Sequence, residues 1–197
     1  MALRSFFFFR VNRIFIIDIP GIFIHYIKKE TIPFHKGMKD RIMARLNIVL
    51  VEPEIPQNTG NVARTCAATG ARLHLVEPMG FRLTQRNLAR AGCDYWDEVE
   101  IVRWSCADEF FEAHGGDELH LFTGRASCSY VDVAYGADAF LLFGRESAGI
   151  DSAILDRFAD RCVRIPMREG LRSLNLSNAV AIATYEAFRQ QAFAGLE

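Results

Sequence analysis

Neither a C-x-x-C pair nor a His-x-x-x-His spacing occurs in this chain, and its five cysteines (Cys66, Cys93, Cys106, Cys128, Cys162) stand far apart. An odd number of scattered thiols argues against a disulfide framework and points to a reduced, cytoplasmic compartment. Without clustered ligands no metal site is expected, and single histidines such as His74 and His120 are assigned to packing or surface roles. Equally absent are G-x-G-x-x-G after the first strand and G-K-[ST] anywhere, which disfavours a standard nucleotide-phosphate cradle. Long apolar runs are missing too. The stretch from Phe6 to Ile27 is interrupted by Arg10, Arg13, Asp18 and Pro20, and each central charge costs about 2.5–3.5 kcal/mol on insertion scales. Its unbroken apolar pieces, such as Phe6–Phe9, fall short of the roughly 7–15 residues of a secretory core. No membrane span, signal peptide, internal repeat or low-complexity tract is expected.

What is present is a chain of 197 residues, 50% hydrophobic and 24% charged, with enough apolar material for a full core. Its charge is unevenly divided. Residues 1–42 carry eight Lys or Arg against three Asp or Glu, and the remainder carries 15 against 21, giving nets of +5 and −6. We read residues 1–42 as an irregular N-terminal extension, a misassigned start being one explanation for it. Residues 43–197 form the conventional domain, opening at Met43 just before the first clear strand.

From Leu46 onward short, β-branched-rich runs alternate with helix-like stretches, the signature of βαβ units and a mostly parallel sheet with helices on both faces. Strands are expected at 46–51, 72–76, 99–103, 119–123, 139–143 and 162–165. Helices are expected at 59–69, ending at a left-handed Gly70, at 81–91, at 107–113 and at 178–193. In the last, Ala179, Ala183 and Ala187 share a small-residue face suited to close packing.

Three polar loops follow apolar strands, where ligands of open parallel sheets bind. The first runs from Glu52 through Pro53, Pro56, Asn58, Gly60 and Asn61 to Arg64. An arginine in the first helical turn would oppose the helix dipole, so Arg64 reads either as a phosphate or ribose contact or as a partner of Glu52 or Glu54. In the second, Gly144 either lets a ligand approach the backbone or serves a simple turn. Glu146 holds a polar ligand group or caps the short helix ahead of Asp151. In the third, Ile165-Pro166-Met167 leaves backbone groups without a ladder, and Ser173, Asn175, Ser177 and Asn178 exceed what one helix cap requires.

With these motifs in order, the chain resembles the SPOUT superfamily of S-adenosylmethionine-dependent RNA methyltransferases, specifically the TrmL type that methylates the ribose 2′-hydroxyl of a tRNA wobble nucleotide. The likeness rests on the run Glu52 to Asn61 with Arg64, on Phe143-Gly144-x-Glu146-x-x-Gly149, and on Ser173-Leu174-Asn175-Leu176-Ser177-Asn178. Glu77-Pro78-Met79-Gly80-Phe81 and Ala91-Gly92-x-Asp94-Tyr95 add to it.

The resemblance implies an α/β domain with a deep C-terminal trefoil knot, an S-adenosylmethionine cofactor and a cytoplasmic homodimer acting on tRNA, with leucine tRNAs as the expected substrates. It places Phe122, Gly144, Ile165, Ser173 and Leu174 at cofactor-binding positions. It makes Arg64, Asn175 and Glu146 catalytic and Asn58 and Arg64 substrate-binding, and Tyr185 on the last helix is the candidate for an interface or tRNA contact. A guanidinium, which does not readily give up its proton, suits orienting the hydroxyl through a phosphate better than acting as a base.

Two departures from the family pattern are Arg145 for a proline and Leu174 for a methionine. Arg145 is either an RNA contact or a solvated arginine. The sets Arg82, Arg86, Arg90 and Arg164, Arg168, Arg172 are either local RNA contacts or solvated faces. Rival readings are a 2′-O-methyltransferase of another tRNA or rRNA site, a non-catalytic knotted RNA-binding protein, and a membrane-associated protein.

Overall fold

The computed structural model describes residues 15–19, 22–26, 45–81, 98–171 and 173–197. Two compact units divide the chain, residues 1–41 and 42–197. Within the first, β1 (Phe15–Ile19) pairs antiparallel with β2 (Ile22–Tyr26).

The second unit is built on six strands: β3 (Asn47–Val51), β4 (Arg72–Val76), β5 (Ile101–Trp104), β6 (Leu119–Phe122), β7 (Phe140–Phe143) and β8 (Cys162–Val163). They lie in the order β5-β4-β3-β7-β6-β8 with every pairing parallel. Around the sheet run α1 (Pro56–Thr69), α2 (Ala107–His114), α3 (Ser152–Arg157) and α4 (Leu176–Gln190).

Alternation along the strands decides which helices go where. Ile48, Leu50, Leu73, Leu75, Leu141 and Phe143 turn to one face, where α1 supplies Val62, Ala63 and Cys66 and α4 supplies Val180, Ala183 and Ala187. Val49, Val51, Val76, Phe140 and Leu142 turn to the other, against Phe110 and Phe111 of α2 and Leu155 of α3. Both faces are dry, so β3 is apolar almost throughout, as a central parallel strand must be. The small residues anticipated on the last helix let it lie close to the sheet.

From β3 the chain moves outward through β4 and β5, then crosses to the other side and returns at β7. The carboxyl ends of β3 and β7 therefore send their loops apart at a topological switch point, which opens a crevice. At the far edge, Val163 and Arg164 are gripped on both sides by one connection. Thr123 N–H donates to Val163 O (2.9 Å), while Arg164 N–H donates to Cys128 O and Tyr130 N–H to Arg164 O (2.9 Å each).

Several expected boundaries move. β8 ends at Val163, because the next residues pair with the 128–130 segment rather than with a sheet strand. α4 ends at Gln190, with Ala192 and Phe193 left-handed. The helix expected at 81–91 lies outside the described residues, Phe81 apart, as do Cys93, Asp94, Tyr95, Arg82, Arg86, Arg90 and Arg172.

Candidate active site

At the switch point the first two loops clasp each other through carboxylates. α1 begins on Pro56, whose fixed φ suits the first helical position, and its cap residue Ile55 offers no side-chain acceptor. The acceptor comes instead from Glu146 across the crevice. Glu146 receives the N–H groups of Glu54 (2.8 Å) and Ile55 (3.3 Å) and the amide of Asn58 (3.0 Å). A carboxylate at a helix start also complements the dipole.

Glu54 reciprocates by accepting from the backbone N–H (2.9 Å) and hydroxyl (2.8 Å) of Ser147. Those two bonds hold its carboxyl below the ordinary range. A third link runs from Arg145 Nε to Glu52 (2.9 Å), and Glu52 itself adopts φ +54°, a conformation seldom seen outside glycine.

These contacts revise three expectations. Glu146 does not cap the helix near Asp151: that helix follows Asp151, whose own carboxylate accepts from Ala153 N–H (2.8 Å). Arg145 is half-buried in an ion pair rather than solvated. Because α1 starts at Pro56, Arg64 sits beyond its first turn, and the dipole argument does not apply to it.

Gly144 is required by the chain's own backbone. Arg145 and Gly149 exchange backbone hydrogen bonds (3.2 and 2.8 Å), folding the loop back so that a Cβ on Gly144 would lie 2.1 Å from Gly149 C and Ile150 N. Gly149, at φ +74°, makes the return possible.

The third loop joins the other two through amides. Asn175 caps α4, its Oδ1 accepting from Ser177 N–H (2.9 Å), the Ser177 hydroxyl (2.7 Å) and Asn178 N–H (3.4 Å). Its amide nitrogen donates to Asn58 Oδ1 (2.9 Å). Glu146, Asn58, Asn175 and Ser177 thus form one polar chain through all three loops, with the orientation of Asn58 fixed by an acceptor on one side and a donor on the other.

This chain borders a cavity of about 530 Å³, within the range of small-molecule pockets. Asn58, Phe122, Gly144, Glu146, Ile165, Ser173, Leu174 and Asn175 all line it. Phe122 stacks on Phe143 (ring centroids 4.6 Å apart, planes 17° apart), giving the cavity an aromatic wall.

Arg64 and Tyr185 lie elsewhere, exposed on α1 and α4, which pack on the same sheet face. Sequence reading assigned no contact to Ser147 and left Glu52 and Glu54 as partners for Arg64. The available signal was two carboxylates beside Pro53, at the mouth of a loop rich in donors.

Comparison with known proteins places this arrangement. The profile of the SpoU rRNA methylase family matches residues 45–185. The chain belongs to the SpoU rRNA methylase family.

A tRNA (cytidine(34)-2′-O)-methyltransferase of Burkholderia pseudomallei is 49% identical over 152 residues, spanning 76% of this chain and 97% of that protein. A solved structure described as giving structural insights into the 2-OH methylation of C/U34 on tRNA superposes with a TM-score of 0.71 at 44% identity, covering 76% of this chain and 97% of that one. An AdoMet-bound rRNA methyltransferase of Sinorhizobium meliloti superposes with a TM-score of 0.65 at 28% identity, over 74% of this chain and 56% of that one. The family match therefore spans strands β3 to β8, the three loops and the cavity together.

Proposed function

We propose that this chain transfers a methyl group from S-adenosylmethionine to the ribose 2′-hydroxyl of nucleotide 34 of a tRNA, a cytidine or modified uridine, with leucine tRNAs as substrates. The observation that carries the reading is the polar chain Glu146–Asn58–Asn175, which draws three separate loops around one cavity. The Burkholderia relative named for that reaction aligns over nearly its whole length.

The cavity suits the cofactor. Its volume accommodates a nucleoside with an amino-acid arm, and Phe122, Ile165 and Leu174 offer apolar surface for the adenine and methionine chain. Gly144 and Ser173 add backbone and hydroxyl groups at its edge. When bound, S-adenosylmethionine supplies an electrophilic methyl group on a sulfonium.

The residues of this chain provide position. Glu146, Asn58 and Asn175 hold the loops at fixed separation before any ligand arrives, and held geometry is worth as much as about 7–11 kcal/mol in such displacements. Arg64 orients the ribose through a neighbouring phosphate and stabilises charge developing on the 2′-oxygen.

Its exposure away from the cavity fits a homodimer in which α1 and α4 meet the partner, so that Arg64 serves a site completed at the interface. Ile182 (38% exposed) and Tyr185 (47%) leave apolar surface on α4 for that contact. The grip of the 122–130 connection on both edges of Val163–Arg164 supports threading of the C-terminal segment through a knot. A tRNA substrate and four free thiols among the described cysteines fit a cytoplasmic setting.

The test is transfer of labelled methyl from S-adenosylmethionine to tRNA lacking wobble methylation, followed by mapping of the product. Wild type should label ribose 34, and Arg64→Ala should lose at least about 100-fold in turnover while binding S-adenosylhomocysteine normally, since removing one stabilising donor typically costs that much. Label at another nucleotide, or full turnover by Arg64→Lys, would overturn the substrate and the geometric role respectively.

A further inference from the structure

Every cation after residue 41 is an arginine; the segment contains no lysine. Most of the described ones are committed. Arg45 and Arg72 pair with Glu100, Arg103 with Glu77, Arg145 with Glu52 and Arg189 with Glu186. Arg161 donates to the carbonyls of Gly115 and Asp117, and Arg157 lies over the Phe158 ring. Arg64 is engaged as well.

Three differ. Among the described residues, Arg125, Arg164 and Arg168 are exposed and have no ion pair, side-chain hydrogen bond or ring contact. Glu169, beside Arg168, forms no ion pair with it.

Their placement is not scattered. Arg125 lines the cavity just after β6. Arg164 and Arg168 bracket Ile165 and Met167, which line it too. The backbone bonds of Arg164 to Cys128 and Tyr130 tie its segment to the loop that carries Arg125. In a region with a net charge of −6, the partnerless cations among the described residues are one arginine in the cavity wall and two that adjoin residues of that wall. A guanidinium fork suits phosphate oxygens.

We propose that Arg125, Arg164 and Arg168 form a phosphate-binding rim that seats the sugar–phosphate backbone of the substrate RNA on either side of the target ribose. The proposal rests on the methyltransferase reading above and adds how the substrate is held. An overall acidic surface attracts RNA weakly, so local contacts must supply the counterion release that drives binding.

The test measures affinity for an unmodified tRNA anticodon stem-loop by fluorescence anisotropy across salt concentrations, alongside binding of S-adenosylhomocysteine. Each of Arg125→Ala and Arg168→Ala should reduce the slope of log K against log salt by about 0.7–0.9, and the triple alanine variant by about 2–3. The triple variant should raise KM for RNA at least about 10-fold and regain the slope when all three positions carry lysine, and the Arg164→Ala, Arg168→Ala double variant, whose residues do not line the cavity, should keep wild-type affinity for S-adenosylhomocysteine.

A wild-type slope in the triple alanine variant would overturn the rim. So would an equal loss in Arg157→Ala, an exposed arginine already occupied by Phe158. Weakened S-adenosylhomocysteine binding with an unchanged slope would assign the arginines to the cofactor carboxylate instead. Methylation mapped to another RNA would refute the nucleotide-34 reading alone, because the slopes can then be measured on that RNA.

Discussion

Two buried polar constellations sit in this domain, and they are satisfied in opposite ways. Within the sheet, Asn47 on β3 and His74 on β4 are both about 2% exposed. Their partners come from adjacent strands and connections: Asn47 donates to Asp138 O (3.0 Å), His74 Nε2 lies 3.2 Å from Asn47 Oδ1, and Trp104 Nε1 donates to His74 Nδ1 (3.1 Å). That cluster is closed off by Phe110 and Phe140. At the switch point, Asn58 is as buried, yet its partners Glu146 and Asn175 come from two other loops and border a cavity. The first arrangement fixes strand register and offers nothing to a ligand. The second spends its hydrogen bonds on holding an opening in shape, and any change to it should register in cofactor and substrate before it registers in the core.

The sharpest way to break that contrast is Gly144→Ala. A Cβ 2.1 Å from backbone atoms cannot be absorbed by a side-chain movement, so the second loop must open. We expect S-adenosylhomocysteine affinity to fall by about 100-fold or more, titrated calorimetrically, while the aromatic cluster around His74 keeps its near-ultraviolet circular dichroism. Glu146→Ala comes next. It strands two backbone N–H groups and the Asn58 amide, and charge-assisted bonds of this kind contribute about 1.5–3 kcal/mol each when buried. Because water can reach part of the clasp, a total of about 2–3 kcal/mol in urea unfolding is expected, with at least about a 10-fold loss in cofactor affinity. Unchanged binding would show that the loops hold themselves.

The two regions also differ in what the sequence discloses. Strand β4 was legible to the residue, because Arg72-Leu73-His74-Leu75-Val76 is an apolar run with turn signals at both ends. The three loops were legible as polar insertions, and family resemblance assigned the cavity residues Phe122, Gly144, Ile165, Ser173 and Leu174. What joins them was not. Asn58, Glu146 and Asn175 are distant in sequence, and no local periodicity reports a carboxylate capping a helix from another loop. The start of α1 was hidden for a related reason: Pro56 and Asn58 favour turns locally but stand at the first helical positions here. The edge grip on Val163–Arg164 joins residues distant in sequence, Thr123, Cys128 and Tyr130, and no local pattern reports it.

The smallest expected effect belongs to the core cluster, and its sign follows from protonation. His74 must be neutral as it stands, because the Trp104 N–H points at Nδ1, leaving Nε2 to donate to Asn47. Burial, then the nearby His114 and Arg72, push its pKa down to about 4 from an ordinary 6.5. A base with a depressed folded-state pKa contributes its full stability above the unfolded value and loses it as the unfolded chain takes up the proton. Stability should therefore fall between pH 6.5 and about pH 4, by about 2 kcal/mol at pH 5 for this group alone. His74→Gln keeps a donor and an acceptor without the titration, so the difference between wild type and variant in urea unfolding should shrink as pH drops from 7 to 5. A constant difference would mean that His74 takes up its proton as readily in the native state as in the unfolded chain, and that the core cluster does not hold it neutral.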